Sequence, residues 1–140
     1  MKVVIDTNVL VSAVIRDRLP ERVLRWCLRQ PDFAWLVTPA ILAEYIEVIQ
    51  RPKFGLDSAT ISWWLELLAI DTQLIEATVE IDFPRDRKDA RFLICATAGK
   101  ADYLLTGDGD FSEARTLIAT PIVTVRQFAE TLQPELLKPV

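Results

Sequence analysis

Histidine is missing from all 140 residues of this chain, and only two cysteines occur, Cys27 and Cys95. Without histidine there is no imidazole general base, no serine–histidine pairing and no histidine zinc site. The two cysteines stand apart, in no CxxC arrangement, so neither a zinc knot nor a redox motif is supported. Both lie within helical apolar patterns and are expected to be packed thiols. No apolar run approaches the roughly 18 residues that a membrane span requires. The opening Met1-Lys2-Val3-Val4-Ile5 meets Asp6 too soon to serve as a signal peptide. Repeats and low-complexity tracts are absent too. A cytoplasmic location with no membrane partner is the expectation.

What is present is a composition 51% hydrophobic and 26% charged, suited to one soluble globular domain. A net charge of −4 argues against a protein that grips nucleic acid by bulk attraction. The basic residues are unevenly spread, however, and 11 of the 16 are arginine. Arg16, Arg18, Arg22, Arg25 and Arg29 crowd one segment, and Arg85, Arg87, Lys88 and Arg91 another. Guanidinium forks suit phosphate oxygens, but such clusters gain meaning only where they flank a reactive site.

Strand-like and helix-like runs alternate along the chain. Val3–Ile5, Trp35–Val37, Thr72–Ile75, Tyr103–Leu105 and Pro121–Val125 read as strands. Between them, helical spacing covers Val9–Ile15, Pro20–Arg29, a segment from Pro39 to Arg51, one opening at Asp57 or Ser58, and Asp86–Gly99. Arg126–Leu132 is the last. Thr38 is a cap with Pro39 at the first helical position, and Gly99 is a natural helix stop. The helix after Ser58 is apolar on two sides, Ile61, Trp64, Leu65 and Leu68 on one and Trp63, Leu67 and Ile70 on the other. It needs two partners, as a central buried helix or as a contact surface. The pattern predicts a three-layer α/β/α sandwich around a parallel sheet of four to five strands, a single domain over 1–132 with an irregular tail over 133–140.

Parallel sheets bind ligands at the carboxyl ends of their strands. Asp6 and Asp108 directly follow strands, while Glu44 and Asp89 lie in the opening turns of helices reached from the same edge. Each has an ordinary alternative. Asp6 could be a helix N-cap, Glu44 a surface glutamate, Asp86 and Asp89 a capping pair, and Asp108 and Asp110 parts of a glycine-rich turn. Glu44 flanks the apolar face of its helix, whereas Glu47 points away. Asp89 shares a face with Phe92, Leu93 and Ala96. Two carboxylates about 5 Å apart repel by roughly 3 kcal/mol at an effective dielectric of ~20. Four ionised together would cost on the order of a domain's stability, ~5–15 kcal/mol. Such a cluster persists only if acids stay protonated or a cation sits among them. Oxygen ligands favour Mg²⁺ or Mn²⁺ over zinc, and such an ion suits phosphodiester hydrolysis. Thr7, Asn8 and Thr106 are placed to orient ligands or phosphate.

The segments Val4-Ile5-Asp6-Thr7-Asn8-Val9-Leu10, Glu44-Tyr45, Asp86 to Leu93 and Ala101 to Asp108 resemble the PIN domain. The likeness is nearest to bacterial single-domain toxins of toxin–antitoxin pairs and runs from about Met1 to Phe128. The resemblance implies a Mg²⁺- or Mn²⁺-dependent ribonuclease that leaves a 5′-phosphate and a 3′-hydroxyl. It places the family's acids on Asp6, Glu44, Asp89 (with Asp86 a rival) and Asp108, with Asp110 as an accessory acid. A homodimer and a small antitoxin covering the site are also implied. Two other functions compete. An aspartate-nucleophile phosphatase needs an acid two residues after the first, where Asn8 stands. A binding module that keeps the acids only as structure would draw on the Trp63/Trp64 helix.

Overall fold

The computed structural model describes residues 1–77, 87–107 and 114–139. The chain starts with β1 (Lys2–Ile5), α1 (Thr7–Val14), α2 (Arg18–Arg29), β2 (Ala34–Val37) and α3 (Pro39–Ile49). After a 3-10 turn over Pro52–Phe54 come α4 (Ser58–Asp71) and β3 (Thr72–Leu74). Then follow α5 (Arg87–Ala98), β4 (Tyr103–Thr106), β5 (Ile122–Thr124) and α6 (Val125–Leu132). All described strands pair in parallel in one five-stranded sheet of order β3-β2-β1-β4-β5. Helix α2 packs with both α1 and α6, α1 packs also with α3, and α5 packs with α3 and against β1, β2 and β4. The three-layer α/β/α sandwich expected from the alternation is the architecture observed.

The central strands explain their own sequence. Val3, Val4 and Ile5 are fully buried, as are Trp35, Val37 and Leu104, because helices cover both faces of the sheet. Alternation therefore gives way to continuous apolar runs, each large side chain contributing about 1.5–3 kcal/mol. The chain lays down β1, β2 and β3 outward in one direction, then returns to place β4 and β5 on the other side of β1. The strand order thus reverses between β1 and β4, and a crevice opens at the carboxyl ends of that pair.

Local signals account for several boundaries. The Thr38 hydroxyl accepts from the Ile41 N–H at 3.3 Å, with Pro39 at the first position, as anticipated. Asp57 caps α4 by accepting from the Thr60 N–H at 2.7 Å. The last strand ends earlier than its apolar run because Thr124 caps α6 and Gln127 reaches back to the Thr124 N–H, a capping box.

Other details differ from expectation. The left-handed residue after α5 is Lys100 (φ 50°), not Gly99. Gly99 serves close approach instead: a Cβ there would stand 2.5 Å from Leu36 Cδ1 and 2.9 Å from Ile75 Cδ1. Helix α4 is not central. Its Trp64 and Leu68 are buried, whereas Trp63 is 48% and Ile70 76% exposed. Of the second apolar side, Leu67 packs partly against the core, while Trp63 and Ile70 stay largely open among the described residues. Residues 133–139 are not wholly irregular either: Pro134–Leu137 form a 3-10 turn against α6 and α2, and Arg22 donates to the Lys138 carbonyl at 2.7 Å. Both cysteines are buried. Burial pushes their thiols up to about 12.

Candidate active site

Asp6 occupies the first position beyond β1. Its N–H donates to the Leu105 carbonyl at 2.9 Å, which ties it to β4 across the switch point. It has the backbone geometry of an N-cap for α1, yet its side chain makes no capping bond. The carboxylate is turned toward β4 instead, where the Thr106 hydroxyl donates to Oδ2 at 3.4 Å. Asp6 is 6% exposed and Thr106 fully buried. A buried carboxylate held away from the amides it could have capped spends its charge elsewhere.

Glu44 comes from the second turn of α3. Tyr45 beside it fixes that helix to the sheet, because its hydroxyl donates to the Ile5 carbonyl and accepts from Trp35 Nε1 at 3.4 Å. The residue before Asp6 and the residue after Glu44 are therefore bonded to one another, and the two acids approach through that link. Burial above all raises the Tyr45 pKa well past its usual value, and the nearby charges of Asp6 and Glu44 add to this. The Glu44 carboxylate has partners on both oxygens. Thr7 donates its hydroxyl to Oε2, and Arg91 of α5 donates to Oε1 at 2.8 Å.

A cleft of about 850 Å³ runs between these elements. Asp6, Thr7, Asn8, Glu44 and Asp89 all line it, so the fold brings five of the predicted site residues to one cavity. Asp86, Asp108 and Asp110 lie outside the described residues. The Glu47 expectation needs correcting: Glu47 also borders the cleft, facing Arg51, which donates to it at 2.7 and 3.0 Å. Arg51 holds the Glu47 carboxyl below its usual range. Arg51 and Lys53, near the 3-10 turn, carry positive charge to the same rim. The sequence marked Arg51 only as the end of a helix, and nothing in it placed either side chain beside the acids.

The second arginine cluster does flank the acids, through Arg91. The first does not. Arg16 and Arg25 instead border a separate hollow of about 340 Å³ with Trp63 and Trp64, and both lie near Glu21, at 3.5 and 3.8 Å.

The cleft's ionisable donors are carboxylates, with no histidine or cysteine on its walls, and that chemistry fits a hard divalent cation. Among the described residues, no three such side chains stand ready together to hold an ion. Glu44 already accepts from Thr7 and Arg91, one bond on each oxygen, so an ion would share that carboxylate with a hydroxyl and a guanidinium. A family model described as "PIN domain" matches residues 2–110. No curated protein matches the chain.

Proposed function

This chain belongs to the PIN domain family, and from that premise we propose that it is a divalent-metal-dependent endoribonuclease. The family generally comprises metal-dependent nucleases that act on RNA or DNA. The observation that carries the proposal is the convergence of Asp6, Glu44 and Asp89, from three separate elements, on one cleft at the switch point of the sheet.

In this proposal Asp6, Glu44, Asp89 and Asp108 hold Mg²⁺ or Mn²⁺, with Asp110 as an accessory acid and Asp86 as the rival to Asp89. A bound ion of this kind supplies Lewis acidity toward the phosphodiester and lowers the pKa of water. The chain's own residues provide the rest. Thr106 orients Asp6, and Thr7 orients Glu44. Asn8 offers an amide to a phosphate oxygen at the cleft mouth. Arg51, Lys53 and Arg91 lower the repulsion that an acidic cleft would otherwise exert on a polyanion.

The finer assignment follows the motif resemblance: the toxin of a toxin–antitoxin pair, cytoplasmic and homodimeric, acting on RNA, its cleft covered by a small antitoxin. The exposed Trp63 and Ile70 of α4, which lie outside the cleft, support a protein contact at that separate face. The test is cleavage of a labelled RNA with Mn²⁺ or Mg²⁺ by wild type beside Asp6→Asn and Asp108→Asn. Both variants should fold and lose cleavage. Undiminished cleavage by purified Asp6→Asn protein would count decisively against the proposal.

A further inference from the structure

The partners of Glu44 carry more than the family assignment. Its two carboxylate oxygens are taken by a hydroxyl from α1 and a guanidinium from α5, 47 residues further along the chain. The Glu44–Arg91 pair is partly sheltered, with side chains 20% and 38% exposed. Arg91 lines the same cleft as Asp6 and Asp89. It therefore places a permanent positive charge among carboxylates that would otherwise repel, a task an inorganic ion could also perform. An ion entering at the same carboxylate would stand beside the guanidinium, so the two positive charges would repel one another across Glu44.

We propose that Arg91 is a resident cation that competes with the divalent ion for Glu44 and, once displaced, turns its guanidinium to the phosphate of the RNA. This rests on the nuclease proposal above. The planar fork suits the change of partner, because carboxylate and phosphate present similar oxygen pairs to it. Its position also suits the change. Arg91 is rooted in α5 while Glu44 is rooted in α3, so losing the pair frees the arginine without moving either helix. Arg91 would thus be a positioning residue when the ion is absent and a phosphate contact when it is present.

The experiment measures Mn²⁺ binding directly, by electron paramagnetic resonance of the free ion, without any cleavage assay. Wild type, Arg91→Gln and Arg91→Lys are compared, and metal-free melting curves confirm that each is folded. Removing the guanidinium should tighten Mn²⁺ binding by about twofold to fivefold, the worth of one partly exposed ion pair. The charge-preserving Arg91→Lys should lie between wild type and Arg91→Gln. A second arm measures affinity for a cleavage-resistant oligonucleotide by fluorescence anisotropy, with EDTA or with Ca²⁺. Wild type should gain affinity when Ca²⁺ replaces EDTA, and Arg91→Gln should lose most of that gain. Unchanged or weaker Mn²⁺ binding by Arg91→Gln overturns the competition. An equal Ca²⁺-dependent gain in both proteins overturns the transfer to phosphate. If neither wild type nor Arg91→Gln binds Mn²⁺ at all, the metal-dependent nuclease proposal fails with it.

Discussion

Tyr45→Phe tests the link that brings the two acids together. The Tyr45 hydroxyl donates to the Ile5 carbonyl and receives the Trp35 indole N–H at 3.4 Å, all at buried residues. Phenylalanine keeps the ring and its volume, so no large cavity forms. What is lost is the hydroxyl, and buried groups left without it cost about 1–3 kcal/mol. The same residue carries a pH signature. Burial, assisted by Asp6 and Glu44, keeps the folded Tyr45 pKa well above 10.0. Its contribution is therefore complete below about pH 10 and declines as pH rises further, because the unfolded tyrosine ionises while the folded one stays protonated. At pH 11 that ionisation stabilises the unfolded wild type by about 1.4 kcal/mol, a change that the phenylalanine variant does not undergo. Urea denaturation in EDTA at pH 7 and pH 11 measures both effects. The variant should be less stable at pH 7 by the stated amount, and the gap should shrink by about 1.4 kcal/mol at pH 11. Other titrating groups are shared by the two proteins and cancel. A gap of the same size at both pH values would refute the idea that Tyr45 is held protonated against the site.

Gly99→Ala forces a Cβ to within 2.5 Å of Leu36 Cδ1, and the resulting shift should cost about 1–3 kcal/mol with an unchanged urea m-value. Thr124→Ala removes the capping box of α6 and should lower stability by about 1 kcal/mol in the same assay. Cys27 and Cys95, with thiols raised by burial to about 12, hold a thiolate fraction near ~10⁻⁴ at pH 8. A thiol-reactive chromophore should leave the folded protein unlabelled and modify both residues after denaturation. Labelling of the native protein within minutes would contradict their burial.

Much of this protein could be read from the order of its residues. Runs such as Val3-Val4-Ile5 and Tyr103-Leu104-Leu105 declare buried parallel strands, because helices on both faces leave no position for a polar side chain. Thr38-Pro39 marks a helix start through chemistry confined to four residues, and the lack of histidine limits the cleft to oxygen ligands. Which acids share a cavity was legible as far as strand ends predict an edge: Asp6, Glu44 and Asp89 do line one cleft. The partners of those acids were not legible. Asp6 sits at a cap position yet turns to Thr106, Glu44 takes Arg91 from another helix, and Glu47 borders the cleft with Arg51. Periodicity assigns a residue to a face of its own element and carries no information about what another element brings opposite that face. The same limit applies to α4, whose two apolar sides look alike in sequence. Only the packing of the chain decided that Trp64 would be covered and Trp63 left half open to solvent.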